Sequence, residues 1–432
     1  MFFQRFIKKI NQLNKKTNTR ILFHIGFILF NLAFVPQLFF NPIYFAPHDV
    51  DRKSNGNTLI CAVGLNEMIA HIPRIDYQMS MPRNTITNRI IEVDENGNKV
   101  WEFSGLALPH EIVELPNGNL LVADTNFDRV IEIDYNQKKI IWSWKPSQIN
   151  WTKVNSDWDG DHYYNNPRTY DWTHINDVDF KEYGTWNACL VSLRNFDLVV
   201  EINYTAESEN PNNPDNINWW YGDYLNHSLL FQQHNPDYLQ NGNIIIADSE
   251  NNRIVEINYS TKERVWESSL SLRWPRDADE LDNGNLLITD SYNNRIIEIN
   301  KTTEDILWSF SKDVIIPYEA DLLKEGTILV SEQFMGHVLE VKRDGTIVWA
   351  YGISFYKPLF YFNALMAIGI FILEVFYRSQ NVLNPKLSQR KKRLNISLLG
   401  FFSTMIVLFL SMLICYNGLL KGFVQFLNPI IK

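Results

Sequence analysis

Short aliphatic runs separated by polar turns dominate the middle of the chain. Runs such as LLVAD, IIIAD and LLITD follow an Asn-Gly turn and precede a second polar turn, which is typical of β-strands and not of amphipathic helices. Three stretches that begin at His110, His234 and Arg276 repeat this order closely, and each ends in a strand that carries tryptophan. A repeat of about 42 residues indicates a ring or array of equivalent supersecondary units.

Counting the units gives six. A weaker copy begins at Tyr318, a divergent copy contains His174, and the first copy begins near His48. The closing tryptophans are Trp101, Trp142, Trp219 or Trp220, Trp266, Trp308 and Trp349. Four short strands per unit predict a blade, so residues 46–352 are predicted to form an all-β, six-bladed β-propeller whose Asn-Gly turns are two-residue hairpins.

Residues that recur in every good copy are interpreted as serving the blade and not the chemistry. They are Asp124, Asp248 and Asp290 together with Arg129, Arg253 and Arg295.

The two ends of the chain carry long apolar runs. Residues 21–45 are uncharged and long enough to span a bilayer, and residues 358–377 and 394–416 form two further predicted transmembrane helices. The basic segments 1–20 and 378–393 contain no acidic residue, which places both in the cytoplasm, and 417–432 is a C-terminal tail. A multi-pass protein of the cell membrane is expected, with its propeller on the extracytoplasmic side.

Charge and cysteine content narrow the function classes. The net charge is −9 although the two cytoplasmic segments are strongly basic, so the remainder is acidic and a nucleic-acid partner is not expected. The chain has three cysteines, and Cys61 and Cys189 lie in predicted strands of non-adjacent blades, so no disulfide framework is expected.

The entry to the innermost strand of each blade is the candidate site. The residues eight positions before the turn glycines are His48, His110, His234, Arg276 and Tyr318, and the divergent blade is expected to contribute His174. These positions repeat in geometry but vary in chemistry, as expected for side chains that converge at the mouth of a propeller channel. Arg194 replaces a small hydroxyl residue, Thr125, Ser249 or Ser291, in one blade only.

Residues 171–195 carry a resemblance to a known family. The segments D-W-T-H-I-N and V-S-L-R-N resemble the D-W-x-H-x-N and S-x-R elements of the aryl-sulfate sulfotransferases, and the segments at His110 and His234 are similar to the family's other histidine segments. The resemblance covers residues 48–350 and implies sulfuryl transfer between phenols without a nucleotide donor. It implies that His234 becomes transiently sulfated and that His110, His174 and Arg194 hold the sulfuryl oxygens. The chain lacks the family's amino-terminal β-sandwich and cysteine pair, which leaves acceptor range and a homodimer open.

The residue types fit that chemistry. A neutral imidazole at His234 attacks an anionic sulfate ester without charge repulsion, and the planar fork of Arg194 neutralises developing charge on the oxygens. His174 or Tyr318 is expected to move the proton of the phenol. The expected substrate-binding residues are Asn176, Arg276, Tyr318 and His48. Small-molecule donor and acceptor are the expected partners, with no cofactor and no metal.

Two other classes of function remain open at this stage. Three converging histidines also suit zinc, which allows a metal-dependent propeller lyase or lactonase. The N-N-R-I-x-E-I blades are similar to those of NHL-type interaction modules, which allows a surface binding or scaffold protein.

Overall fold

A computed structural model describes residues 45–64, 88–158, 171–204, 216–333 and 335–352. All of them lie in one compact unit, Asn41–Ile353. Residues 21–44 of the predicted span 21–45, the predicted spans 358–377 and 394–416, the basic segments 1–20 and 378–393 and the tail 417–432 lie outside the described residues. The last residue of the first predicted span, Phe45, begins a β-strand (Phe45–Arg52) and not the end of a helix. Among the residues that the structure describes, no helix has the length and apolarity needed to cross a membrane.

The described residues form six four-stranded antiparallel sheets, each made from one continuous stretch of chain. Blade 1 contains β1 (Phe45–Arg52), β2 (Thr58–Gly64), β3 (Arg89–Val93) and β4 (Lys99–Ser104). Blade 2 contains β5 (Pro109–Glu114), β6 (Leu120–Asp124), β7 (Arg129–Asp134) and β8 (Lys139–Trp144). Blade 3 contains β9 (Ile175–Glu182), β10 (Asn187–Leu193), β11 (Leu198–Tyr204) and β12 (Ile217–Gly222).

The second half of the ring repeats the same order. Blade 4 contains β13 (His234–Tyr238), β14 (Ile244–Asp248), β15 (Arg253–Ile257) and β16 (Arg264–Glu267). Blade 5 contains β17 (Pro275–Glu280), β18 (Leu286–Asp290), β19 (Arg295–Ile299) and β20 (Ile306–Phe310). Blade 6 contains β21 (Pro317–Leu322), β22 (Ile328–Glu332), β23 (His337–Val341) and β24 (Ile347–Tyr351). One short helix, α1 (Trp151–Val154), lies between blades 2 and 3.

The first strands of successive blades contact one another in a closed ring, and β21 of blade 6 contacts β1 of blade 1. The prediction of an all-β, six-bladed propeller is therefore confirmed. The second strand is buried along its whole length in five blades, because it is sandwiched between neighbouring blades, and in blade 3 only its first residue, Asn187, is partly exposed. Apolar side chains on both faces of that strand form the cores between blades, and this explains the continuous Val, Ile and Leu runs in the sequence.

The Asn-Gly turns differ from the two-residue hairpins predicted above. The amide of Leu115 donates to the carbonyl of Asn119, and the amide of Gly118 donates to the carbonyl of Leu115, both at 2.8 Å. Gly118 has φ +80°, whereas Asn117 has no positive φ. The loop therefore has three residues, a type I turn followed by a left-handed glycine, and the asparagine accepts a hydrogen bond from the amide of Asn119 through its side chain.

Tryptophans join consecutive blades at the outer strands. The indole of Trp101 donates to the carbonyl of Tyr135 in the next blade at 2.9 Å, and that of Trp219 donates to Tyr259 at 2.8 Å. Trp219 also pairs in register with Glu201, as Trp101 does with Glu92, so Trp219 and not Trp220 closes blade 3. The indole of Trp349 donates to the carbonyl of Glu95 and so joins blade 6 to blade 1.

The repeated charged residues serve the blade, as predicted. Arg129, Arg253 and Arg295 each form an ion pair with the buried aspartate at the end of the second strand, at 2.6 to 2.7 Å. Cys61 and Cys189 are buried and free, which agrees with the expectation of no disulfide between them.

Candidate active site

In three blades a backbone bulge places one residue of the innermost strand at the channel mouth. In blade 4 His234 pairs with Ala247, and the register shift leaves out Asn235. In blade 2 the strand register shifts between Pro109 and Glu111, so His110 lies in the bulge, and the same shift places Arg276 and Tyr318 in blades 5 and 6. The residue two positions earlier has a positive φ in these blades, as at Trp274 (φ +50°). This local conformation directs each bulged side chain toward the axis.

The third blade contributes to this column differently from the prediction. The register of β9 shifts around Asn176, which lies between Ile175 and Asp177 in the pairing with β10, so Asn176 and not His174 is the bulged residue. His174 occupies the preceding left-handed position with φ +49°. Its ring still reaches the axis, because the ring centroids of His174 and His110 are 5.0 Å apart.

Asn176 explains how Arg194 can replace a hydroxyl. In three blades a hydroxyl donates to the carbonyl just before the next blade's axial residue; the pairs are Thr125 with Ile175, Ser249 with Pro275 and Ser291 with Pro317. In blade 3 the amide of Asn176 donates to the equivalent carbonyl, that of Gln233, at 2.9 Å. The bridge between blades is kept, so the position of Arg194 does not need a hydroxyl.

His234 is 2% exposed, and its imidazole contacts Ser249 and Trp274. Its Nδ1 is 2.6 Å from Oγ of Ser249, whose proton is donated to the carbonyl of Pro275 at 2.7 Å. Ser249 must therefore accept from Nδ1–H, which leaves a lone pair on Nε2. Nε2 is buried and has no hydrogen-bond partner among the residues that the structure describes.

The charge state of His234 follows from its surroundings. Burial and the nearby positive charges of Arg276 and Arg194 hold the pKa of His234 well below its ordinary value. The imidazole is therefore neutral around pH 7, with an unshared electron pair at Nε2.

His110 repeats this arrangement in blade 2. Its Nδ1 is 2.7 Å from Oγ1 of Thr125, which donates its own proton to the carbonyl of Ile175 at 2.6 Å. The ring of His110 is 3% exposed and lies against His48, with centroids 4.5 Å apart. The same tautomer is therefore set at His110 as at His234.

Asp171, His174 and Arg194 form a chain of hydrogen bonds. Nδ1 of His174 is 2.6 Å from Oδ2 of Asp171, and Nε2 is 3.0 Å from Nη1 of Arg194. A guanidinium can only donate, so Nε2 accepts and Nδ1 carries the proton that is donated to Asp171. In this arrangement His174 orients Arg194, and it does not offer the free donor expected from the sequence.

An aromatic and cationic wall completes the site. The guanidinium of Arg276 lies 3.2 Å from the ring centroid of Tyr318 and 4.9 Å from that of Trp274. Burial lowers the pKa of Arg276 to about 10 and raises the pKa of Tyr318 to about 12, so the arginine is charged and the phenol is protonated at neutral pH. The ring of His48 stacks on Tyr318 at 4.3 Å, and Trp274 contacts the ring of His234 at 5.4 Å.

The axial cavity has a volume of about 20 Å³. It is lined by the axial residues His110, Asn176, His234, Arg276 and Tyr318 and by the residues that follow each of them, Glu111, Asp177, Asn235, Asp277 and Glu319. The predicted site residues that do not line this cavity are connected to it by contacts. His48 and His174 contact His110, and Arg194 is hydrogen-bonded to His174.

Sequence reasoning missed four supporting residues: Thr125, Ser249, Asp171 and Trp274. A spacing signal was present for the first two, because each hydroxyl lies fifteen residues after the histidine that it contacts. Asp171 stands within the quoted D-W-T-H element, three residues before His174, but its contact depends on a local turn.

Fold and site together define a class: a propeller whose axial mouth gathers neutral imidazoles and two arginines. Residues 104–233 match the model of the arylsulfotransferase (ASST) family, which confirms the resemblance read from the sequence. That stretch includes His110, Asn176, His174 and Arg194 and ends one residue before His234. The match supports sulfotransferase activity in general terms.

Comparison with solved structures returns other proteins at low identity. A streptogramin B lyase is 13% identical over 72% of this chain and 84% of its own, with a TM-score of 0.45. A virginiamycin B lyase from Staphylococcus aureus is 12% identical over 72% and 85%, with a TM-score of 0.45. A protein of unknown function from Bacteroides caccae is 11% identical over 61% and 90%, with a TM-score of 0.43. No curated protein matches the sequence.

Proposed function

We propose that this protein transfers a sulfuryl group from an aryl sulfate ester to a phenolic or other hydroxyl acceptor through a sulfohistidine at His234, without a nucleotide donor. The observation that carries the proposal is the state of His234: a buried, neutral imidazole whose Nε2 has no hydrogen-bond partner among the described residues and whose pKa is lowered by burial and by the charges of Arg276 and Arg194. Such a nitrogen is nucleophilic at neutral pH and meets no charge repulsion from a sulfate monoester.

The first half-reaction forms one bond and breaks one bond. Nε2 of His234 attacks sulfur, the bond between sulfur and the aryl oxygen breaks, and the phenolate leaves with the bonding electrons. In the second half-reaction the acceptor hydroxyl gives its proton to the Tyr318 phenolate that the first half-reaction leaves, the acceptor oxygen attacks sulfur, the N–S bond breaks, and His234 regains its neutral form. A ping-pong sequence results, because donor and acceptor occupy the same axial site in turn.

Arg194 and Arg276 are the groups that neutralise the sulfuryl oxygens. Arg194 is held by His174, which is itself held by Asp171, so its guanidinium is oriented before substrate binds. Tyr318 is the better candidate for the proton transfer to the leaving phenolate, since its phenol is protonated at neutral pH whereas both nitrogens of His174 are engaged.

The aryl group is expected to bind against Trp274. This ring is half-buried, lies beside His234, and stacks on Tyr292 with centroids 4.5 Å apart. A flat aromatic donor can pack on such a surface while its sulfate points into the axial site.

The test is mass spectrometry of the full chain after brief exposure to a chromogenic aryl sulfate in the absence of acceptor. An adduct of about 80 Da, the mass of a sulfuryl group, is expected on the peptide that carries His234. His234→Ala should lose both the adduct and the transfer, whereas His227→Ala, which changes an exposed histidine outside the axis, should keep both. Full transfer by His234→Ala refutes the proposal.

We also propose that the propeller lies on the extracytoplasmic side of the cell membrane, supported by the charge asymmetry of residues 1–20 and 378–393. Protease added to intact cells should then degrade the propeller. Protection of the propeller until the cells are lysed contradicts this orientation.

A further inference from the structure

Two levels of acidic residues line the channel below the axial site. At the first level, one position after the axial residue, five of the six blades carry a carboxylate: Asp49, Glu111, Asp177, Asp277 and Glu319, with Asn235 in blade 4. Two positions further along the same strands lie Asp51, Asp179, Asp237, Asp279 and Asp321, with Val113 in blade 2. Alternate residues of a strand face the same side, so both levels face the axis.

The backbone uses one oxygen of several first-level side chains. Oδ2 of Asp49 accepts from the amide of Ile112 at 2.6 Å, and Oδ2 of Asp277 accepts from the amide of Ala320 at 3.0 Å. Each contact joins one innermost strand to the next around the ring. For Asp177 the corresponding residue of the next strand is Pro236, which has no N–H to donate.

The second carboxylate oxygen of three first-level aspartates is not used by these backbone contacts. Oδ1 of Asp49, Asp177 and Asp277 is buried and has no hydrogen-bond partner within the described part of the chain, and the three residues are 0%, 4% and 2% exposed. Unpartnered carboxylate oxygens in a buried channel are costly unless a proton or a cation compensates them. Asp177 and Asp277 line the axial cavity, so their oxygens have a common space to face.

The spacing of three carboxylates fits a metal ion. Ligand oxygens of Asp49, Glu111 and Glu319, from three consecutive blades of the closed ring, all lie within 4.8 Å of one another. Oxygens bound to one Ca²⁺ ion at about 2.3–2.6 Å lie within about twice that distance of each other. The cavity of about 20 Å³ has room for one ion or one water.

We propose that the channel beneath the axial histidines holds one hard divalent cation, Ca²⁺ in preference to Mg²⁺, on the carboxylates of Asp49, Glu111 and Glu319. Oxygen-only donors select such ions over zinc or copper, which favour nitrogen and sulfur. Ca²⁺ accepts the larger and less regular set of oxygens that several blades supply, whereas Mg²⁺ demands a near-ideal octahedron. The carboxylates lie one residue further along each strand than the axial residues, and the cation proposal is tested independently of the transferase proposal.

The experiment titrates CaCl₂ and, separately, MgCl₂ into the full chain after chelator treatment and removal of the chelator. Isothermal titration calorimetry is expected to show about one Ca²⁺ bound per chain. Glu111→Gln and Glu319→Gln should each weaken Ca²⁺ binding at least tenfold. Asp282→Asn, a matched removal of one acidic charge in an exposed turn, should leave Ca²⁺ binding unchanged.

Three outcomes overturn the proposal: no heat from Ca²⁺ or Mg²⁺ at millimolar concentration, Ca²⁺ binding that survives in the Glu111→Gln, Glu319→Gln double variant, or equal weakening in Asp282→Asn. Thermal unfolding keeps the test decisive if a variant folds poorly, because Ca²⁺ should raise the unfolding temperature of the unmodified chain in a concentration-dependent manner. Sulfation of His234 in the same samples reports on the transferase proposal separately.

Discussion

Replacing Ser249 with alanine tests whether the tautomer of His234 is what makes it a nucleophile. The hydroxyl accepts from Nδ1–H of His234 at 2.6 Å and donates to Pro275 at 2.7 Å, so its position fixes the ring proton on Nδ1. In Ser249→Ala the buried Nδ1–H loses its acceptor. The neutral ring then gains by moving its proton to Nε2, which faces the cavity, and the lone pair that attacks sulfur is lost.

The magnitude follows from the lost hydrogen bond. Leaving a buried donor unsatisfied costs about 1–3 kcal/mol, which is the free energy by which the reactive tautomer becomes less favourable than before. At 1.36 kcal/mol for each factor of ten, we expect the rate of His234 sulfation to fall about five- to 150-fold. The Nδ1–H tautomer must still form before attack, so the effect should be on the rate of sulfation more than on donor binding.

Single-turnover release of the chromogenic phenol measures this rate directly. Ser291→Ala is the matched control, since Ser291 makes the same 2.7 Å bridge to a proline carbonyl in the next blade but has no histidine to hold. Ser249→Thr should restore the rate, because Thr125 makes the equivalent contact with His110 in blade 2. Equal losses in Ser249→Ala and Ser291→Ala would mean that the hydroxyl only supports the blades, and the tautomer argument would fail.

Three further results are expected. Asp171→Asn should reduce kcat about ten- to a hundredfold with a smaller change in KM, because the amide holds His174 in its tautomer poorly and Arg194 is less well oriented; an unchanged kcat contradicts the hydrogen-bond chain. Trp274→Leu should raise KM for aryl donors about five- to thirtyfold through loss of about 1–2 kcal/mol of ring and cation contacts, and an unaltered KM places the aryl group elsewhere. The pKa of His234 is depressed in the folded state, so kcat/KM should fall on the acidic side only below about pH 6.5. As pH falls through about 6.5, the unfolded chain takes up a proton at this histidine before the folded chain does, which lowers the stability of the fold. A fall of kcat/KM that is already complete at about pH 6.5 contradicts the depressed pKa.

The sequence predicted the ring because its information is local and repeated. Each blade is a contiguous stretch with its own turns and its own closing tryptophan, so six copies indicate six blades without any long-range pairing. The turn type was predicted wrongly, since a glycine with positive φ is common to both the two-residue and the three-residue loop.

The sequence predicted which strands and residues form the site, but it did not predict the hydrogen bonds between their side chains. Asn176 stands eight residues before Gly184, the same spacing as in the other blades, so the sequence contains its place among the axial residues. The engagement of His174 by Asp171 and Arg194 depends on side-chain geometry that spacing does not contain. The acidic channel could not be predicted from the net charge, because net charge does not show which acidic residues face the axis.

The closed ring has a consequence for how the chain can be cut. Each described sheet consists of four strands that are consecutive in the sequence. Blade 6 is joined to blade 1 by packing, by the hydrogen bond from the indole of Trp349 and by the ion pair of Arg52 with Glu340. Phe45 and Tyr351, at the first and last strands, have ring centroids 6.1 Å apart. A short linker could therefore join these two points, and new termini opened between any two blades would leave all of the strand pairings intact. Circular permutants would thus be a natural set of proteins in which to ask whether blade order along the polypeptide matters for assembly.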